Sequence, residues 1–102
     1  DPALIPELVA AIAAGADAVK LFPAEVGGIP YLKAIRAPMP DVPIVPTGGV
    51  ELANAADWIR AGAIALGVGG NLVLKDALAR GEYARITDAA RAFVAAIRSV
   101  PL

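Results

Sequence analysis

"GADAVKLFPAE", residues 15–25, decides the fold. Gly15 is a helix stop. Residues 17–22 (DAVKLF) form a short apolar run that reads as a strand, and Pro23 ends it. Side chains alternate along a strand, so Ala18, Lys20 and Phe22 share one face while Val19 and Leu21 share the other. Val19 and Leu21 suit a face covered by a helix. Lys20 is the anomaly, because burying an ammonium is costly and strand cores normally exclude it.

The same grammar repeats on both sides of this stretch. Residues 4–14 read as a helix with Leu4, Leu8, Ala11 and Ile12 on one face. After the Gly27-Gly28 loop, residues 30–37 read as a short helix with Pro30 in its first turn. Residues 42–46 read as a second strand whose prolines sit at its ends. Residues 52–61 read as a helix stopped by Gly62, residues 63–68 as a third strand, and residues 71–79 and 83–98 as helices. Tyr83, Ile86, Ala90, Phe93 and Ile97 make the apolar stripe of the last one. This alternation predicts an α/β fold with parallel strands and right-handed crossovers. A (β/α) barrel and a doubly wound sheet both fit units of this size. No linker or low-complexity tract divides the chain, so residues 1–102 read as one domain.

Composition narrows the chemistry. The 102 residues are 58% hydrophobic and 19% charged, which is apolar for a small domain and suits strands buried on both faces. The excess also fits a molecule part of whose partner surface lies elsewhere. The net charge is −1, with no basic patch for nucleic acid and no charge run for a membrane surface. There is no cysteine and no histidine. Disulfides, thiolate metal sites, serine–histidine triads and most zinc sites are thereby removed. Asp1, Asp17 and Asp41 have no metal-ligand spacing, and no cofactor motif is complete. No apolar run approaches about 18 residues and no signal-peptide pattern opens the chain, so a cytoplasmic location is the default. The first residue is Asp1 rather than Met, which suggests a fragment or a processed chain.

The candidate chemistry lies on the faces that the helices do not need. Lys20, Phe22, Thr47, Gly67 and Gly69 fall opposite the aliphatic faces of their strands, toward the C-terminal ends. In a barrel they would look into the lumen at the end where active sites sit. A neutral lysine amine can attack a ketone and form a Schiff base. Removal from water favours the neutral amine, and an apolar strand with Phe22 beside it would supply that environment. The plainer alternative is a lysine that snorkels to solvent. "PTGGV" (46–50) and "GVGGN" (67–71) each follow a strand and precede a helix. Glycines let backbone N–H groups approach an anion, and a helix N-terminus favours it. The alternative is that the glycines only make tight turns. Glu25 is an acid–base candidate or a helix cap, and Thr47 a substrate hydrogen-bonder or a loop cap. Glu7 reads as solvent-exposed, and Tyr31 and Trp58 as packing residues.

Three segments together resemble a known family: "GADAVKLFPAE", "LKAIRAPMPDVPIVPTGGV" and "NAADWIRAGAIALGVGGNLV". They are similar, from about residue 7 to about residue 75, to the C-terminal part of the 2-keto-3-deoxy-6-phosphogluconate (KDPG) and 4-hydroxy-2-oxoglutarate (KHG) aldolases. The resemblance implies the last three βα units, strands six to eight, of a (β/α)8 TIM barrel, here an incomplete one. It implies a class I Schiff-base lyase of Entner-Doudoroff type sugar-acid metabolism, usually trimeric and needing no cofactor. Its substrate is a phosphorylated 2-keto-3-deoxy sugar acid, cleaved to pyruvate and glyceraldehyde 3-phosphate. The family's Schiff-base lysine falls on Lys20, and its pyruvate-pocket phenylalanine and threonine on Phe22 and Thr47. Its phosphate-binding glycines fall on Gly48, Gly49, Gly69 and Gly70. Asn71 joins them as a phosphate-binding residue, standing where the family often has serine and still able to donate a hydrogen bond. The family's Thr-Pro-x-Glu helix entry reads Leu4-Ile5-Pro6-Glu7, and only the glutamate aligns.

The same resemblance places a proton-handling glutamate, an arginine and another threonine on strands that precede these residues. Without that glutamate, Lys20 can form an imine while carbon–carbon cleavage lacks proton transfer, a contribution of typically ~10²–10⁴-fold. The expectation is an isolated chain with little or no cleavage activity. Two other readings stand beside it. One is a related 2-keto-3-deoxy-6-phosphogalactonate aldolase. The other is a non-catalytic, self-associating βα fragment in which Lys20 is a relic.

Overall fold

The computed structural model describes residues 4–101, so Asp1 lies outside the described residues. The order is α1 (Leu4–Ala13), β1 (Val19–Leu21), a 3₁₀ turn (Ala24–Val26), α2 (Gly28–Arg36), β2 (Ile44–Pro46), α3 (Ala55–Arg60), α4 (Lys75–Ala79) and α5 (Tyr83–Arg98). α1 stops as its sequence demands. Gly15 takes a φ of 100°, and the N–H groups of Gly15 and Ala16 donate to the carbonyls of Ile12 and Ala11 at 3.0 and 3.1 Å. This left-handed exit satisfies helix-end carbonyls, and a side chain there would be strained.

β1 and β2 pair in parallel, with Val19 opposite Ile44, Lys20 opposite Val45 and Leu21 opposite Pro46. Both strands are shorter than the expected 17–22 and 42–46. Their helix-side residues enter one core: Ile44 and Pro46 are buried, and Val19 and Leu21 pack against the cluster of Leu8, Leu32, Ile35, Trp58 and Phe93. The helices therefore cover the aliphatic face, as alternation predicted. Trp58 is a packing residue and Tyr31 packs against the core.

The third strand is the main correction. Residues 63–68 do not form a strand; they touch β2 through two backbone bonds, Ile64 N–H to Ile44 O at 3.1 Å and Gly67 N–H to Pro46 O at 2.9 Å. One parallel bridge, Thr47 with Gly67, marks where the strand direction persists. Among the described residues nothing pairs with the far side of this segment, so its ladder is one-sided and short. Its expected aliphatic face is also incomplete, since Ile64 is 57% exposed while Ala63 is buried. The helix expected over 71–79 is reduced to α4, because turns fill residues 70–72 and Leu72 and Val73 donate to Gly69 O, both at 2.9 Å. α5 matches its expected bounds and buries Phe93, but Tyr83 at the head of the stripe is 63% exposed. Tyr83 begins the helix, where no preceding turn of the chain covers it.

Candidate active site

Register brings the site residues together. Partners in a parallel ladder point to the same side, so Lys20 and Val45 share a face. The ladder continues beyond the named strands: Thr47 N–H donates to Leu21 O at 2.9 Å and Ala24 N–H to Thr47 O at 2.8 Å. Phe22 and Thr47 thus follow Lys20 and Val45 on the face away from the helices. Gly67 joins them through its bridge to Thr47.

Contacts within this group are close. The Lys20 Nζ stands 5.0 Å from the centroid of the Phe22 ring, a cation–π distance. The ring in turn lies over Gly48, where an added Cβ would come within 3.4 Å of Phe22 Cδ2 and Cε2. A Cβ at Gly67 would overlap the Thr47 hydroxyl, so that hydroxyl lies directly against the Gly67 backbone. The expected desolvation of Lys20 is absent, however. Lys20 is exposed and Phe22 is 65% exposed. The helices lie on the other face, and no layer of the described residues covers this one.

The first glycine loop is tightly specified. Gly48 and Gly49 take φ values of 94° and 72°, which favour glycine. A Cβ on Gly49 would lie 2.5 Å from Glu25 Cβ and 2.7 Å from Glu25 Oε2. Glu25 thus packs over the loop and makes no side-chain cap to a helix. The second loop differs: Gly69 and Gly70 have neither positive φ nor any atom within 4 Å of an added Cβ. Neither loop runs straight into a helix, since α3 and α4 begin only at Ala55 and Lys75. The helix-dipole part of the anion argument is therefore lost. Among the described residues, nothing accepts the N–H groups of Gly48, Gly49, Val50, Gly69 or Gly70.

Two asparagines organise these loops. Asn71 Nδ2 donates to Val50 O at 3.0 Å, joining the second loop to the first. Asn54 Nδ2 donates to Gly49 O at 3.1 Å, and its Oδ1 accepts from Glu51 N–H at 2.8 Å. Sequence reasoning passed over Asn54. Its signal was an asparagine just ahead of a helix, where such side chains bond neighbouring backbone. Elsewhere, a cleft of about 450 Å³ opens beside the end of β1, rimmed by Glu7, Phe22, Val26 and Tyr31. Among the described residues, no group of three acidic side chains is placed to hold a metal, and no helix is long and apolar enough to cross a membrane.

Comparison with known proteins gives this geometry a family. The family model described as KDPG and KHG aldolase matches residues 3–89. The chain belongs to the KDPG and KHG aldolase family. A 2-dehydro-3-deoxy-phosphogluconate aldolase of Dickeya dadantii strain 3937 is 42% identical over 93 residues, covering 89% of this chain and 43% of the relative. A 2-dehydro-3-deoxy-6-phosphogalactonate aldolase of Escherichia coli strain K12 is 39% identical over 93 residues, covering 90% of this chain and 43% of the relative. A solved structure described as native KDPGal superposes with a TM-score of 0.82 at 35% identity, over 93% of this chain and 45% of the other. This family member thus spans less than half the length of the relatives it matches. Its α/β fold with parallel strands and a small open sheet is that of an aldolase structure.

Proposed function

We propose that the chain supplies the Schiff-base lysine and the phosphate-binding loops of a class I aldolase, as the last three βα units of a (β/α)8 barrel. The observation that carries this reading is the register that aligns Lys20, Phe22, Thr47 and Gly67 on the helix-free face at the strand ends. Lys20 Nζ attacks the ketone carbon of pyruvate or of a phosphorylated 2-keto-3-deoxy sugar acid; water leaves, and an imine forms. Phe22 and the Thr47 hydroxyl flank the pyruvate unit. Gly48, Gly49, Gly69 and Gly70 offer unpaired N–H groups to the phosphate. Gly69 and Gly70 support this part, because local geometry gives no reason for glycine there.

The glutamate that the family resemblance assigns to proton transfer is not among these 102 residues. The isolated chain is therefore expected to form the imine and to cleave KDPG poorly. Pyruvate and borohydride, followed by peptide mass spectrometry, test this. A reduced pyruvyl adduct on Lys20, absent in Lys20→Met, is the expected result. No adduct removes the assignment of Lys20, and rapid KDPG cleavage by the chain alone removes the dependence on the absent glutamate. The phosphogalactonate reading stands as the second, since identities of 39% and 42% to the two kinds of relative do not separate them. A panel of the two phosphorylated sugar acids, assayed with the remaining barrel units supplied, separates them.

A further inference from the structure

The two loops that the proposed function assigns to phosphate are held by asparagine side chains, and the bonds differ from those of a ligand. A trans peptide is planar, so its C=O and N–H point to opposite sides. Asn54 Nδ2 holds the carbonyl of Gly49, which turns the N–H of Val50 away from Asn54. Asn54 Oδ1 meanwhile accepts the next N–H, that of Glu51. Asn71 Nδ2 reaches back over 21 positions to hold the Val50 carbonyl. Three polar groups of the loop, Gly49 O, Val50 O and Glu51 N–H, are thus occupied by side chains. The N–H groups of Gly48, Gly49 and Val50 are the ones without an acceptor among the described residues. The asparagines thus occupy the carbonyls of Gly49 and Val50 and the Glu51 N–H, and leave the N–H groups of residues 48–50 unpaired among the described residues.

We propose that Asn54 and Asn71 are positioning residues that fix the peptide planes of residues 48–51 for a phosphate group, with Asn71 acting through Val50. This rests on the reading that phosphate binds at the two glycine loops. Asn71 also sets the spacing between those loops, since its bond is made from one to the other.

Backbone amide NMR on the ¹⁵N-labelled chain tests the proposal, with inorganic phosphate as the probe and wild type, Asn54→Ala, Asn71→Ala and Asn71→Ser compared. Wild type is expected to show phosphate-dependent shifts at Gly48, Gly49, Val50, Gly69 and Gly70. Asn54→Ala and Asn71→Ala, which lose two hydrogen bonds and one, are each expected to bind at least about fivefold more weakly. Asn71→Ser is expected to match Asn71→Ala, because the shorter hydroxyl does not span to the Val50 carbonyl. Before phosphate is added, Glu51 N–H should exchange with water about tenfold faster in Asn54→Ala, while the sheet amide of Val19, bonded to Pro43 O, keeps its wild-type exchange. Asn71 is exposed, so its variants serve if Asn54→Ala fails to fold. Wild-type affinity in both alanine variants, or in Asn71→Ser alone, overturns the proposal while leaving the phosphate reading intact. Absence of any loop response in wild type overturns the phosphate reading, and the proposal with it.

Discussion

Gly49 shows how one residue serves two demands at once. Its φ of 72° is a left-handed conformation, and the space where a Cβ would sit is filled by Glu25. Gly49→Ala is expected to lower stability by about 1–3 kcal/mol, because it adds strain and forces Glu25 aside. Urea unfolding measures this, and a loss below a few tenths of a kcal/mol would mean that the loop rearranges freely. Lys20 shows the limits of reading single residues. Strand alternation placed it with Phe22 on the helix-free face, and the register agrees. Its solvent exposure is what the snorkelling alternative gave; which alternative prevails was not legible, because that depends on what covers the face and not on neighbours in the chain. The Asn71 bond to Val50 was hidden for the same kind of reason: it joins residues brought close only by the completed fold.

At the scale of elements, helices were read more accurately than strands. The α5 stripe repeats over many turns, and each apolar residue reinforces the same face. A strand of three residues owes its existence to its neighbours, so residues 63–68 carried a strand-like pattern without the two-sided ladder that would extend it. α4 and α5 are linked by an ion pair that also makes their packing sensitive to pH. Arg85 Nη1 donates to Asp76 Oδ2 at 2.9 Å, and this hydrogen bond holds the Asp76 carboxyl below the usual carboxylate range. A depressed carboxyl contributes stability that is present above its unfolded pKa of about 4 and is lost as pH falls through the lower folded value. Both side chains are well exposed, so the contribution is small and screened by salt. Thermal unfolding should therefore show wild type losing more stability than Asp76→Asn between about pH 5 and about pH 3. The difference should shrink at about 1 M salt. Parallel pH profiles for the two proteins would remove Asp76 from the acid response.

The molecule as a whole is less compact than its length allows. Its radius of gyration is 14.9 Å, against ~13 Å for a compact chain of this size. Its sheet is also open. β1 pairs with β2 alone among the described residues, so its other edge keeps unpaired backbone groups. The face beside that edge carries Phe22 at 65% exposure, and Ile64 lies at the opposite end of the sheet at 57%. Unpaired edges and exposed apolar side chains favour pairing with further chain. The relatives it matches are more than twice as long, and a second copy of this chain is the occupant available when the chain is alone. Multi-angle light scattering of the purified chain should show a mass that rises with concentration. Lysine at Phe22 should lower that mass by placing a charge on the face beside the open edge. A constant single-chain mass across the accessible concentrations would mean that the open sheet is tolerated in water. The helix-covered core of Leu8, Leu32, Ile44 and Trp58 would then suffice to hold the fold with its sheet open.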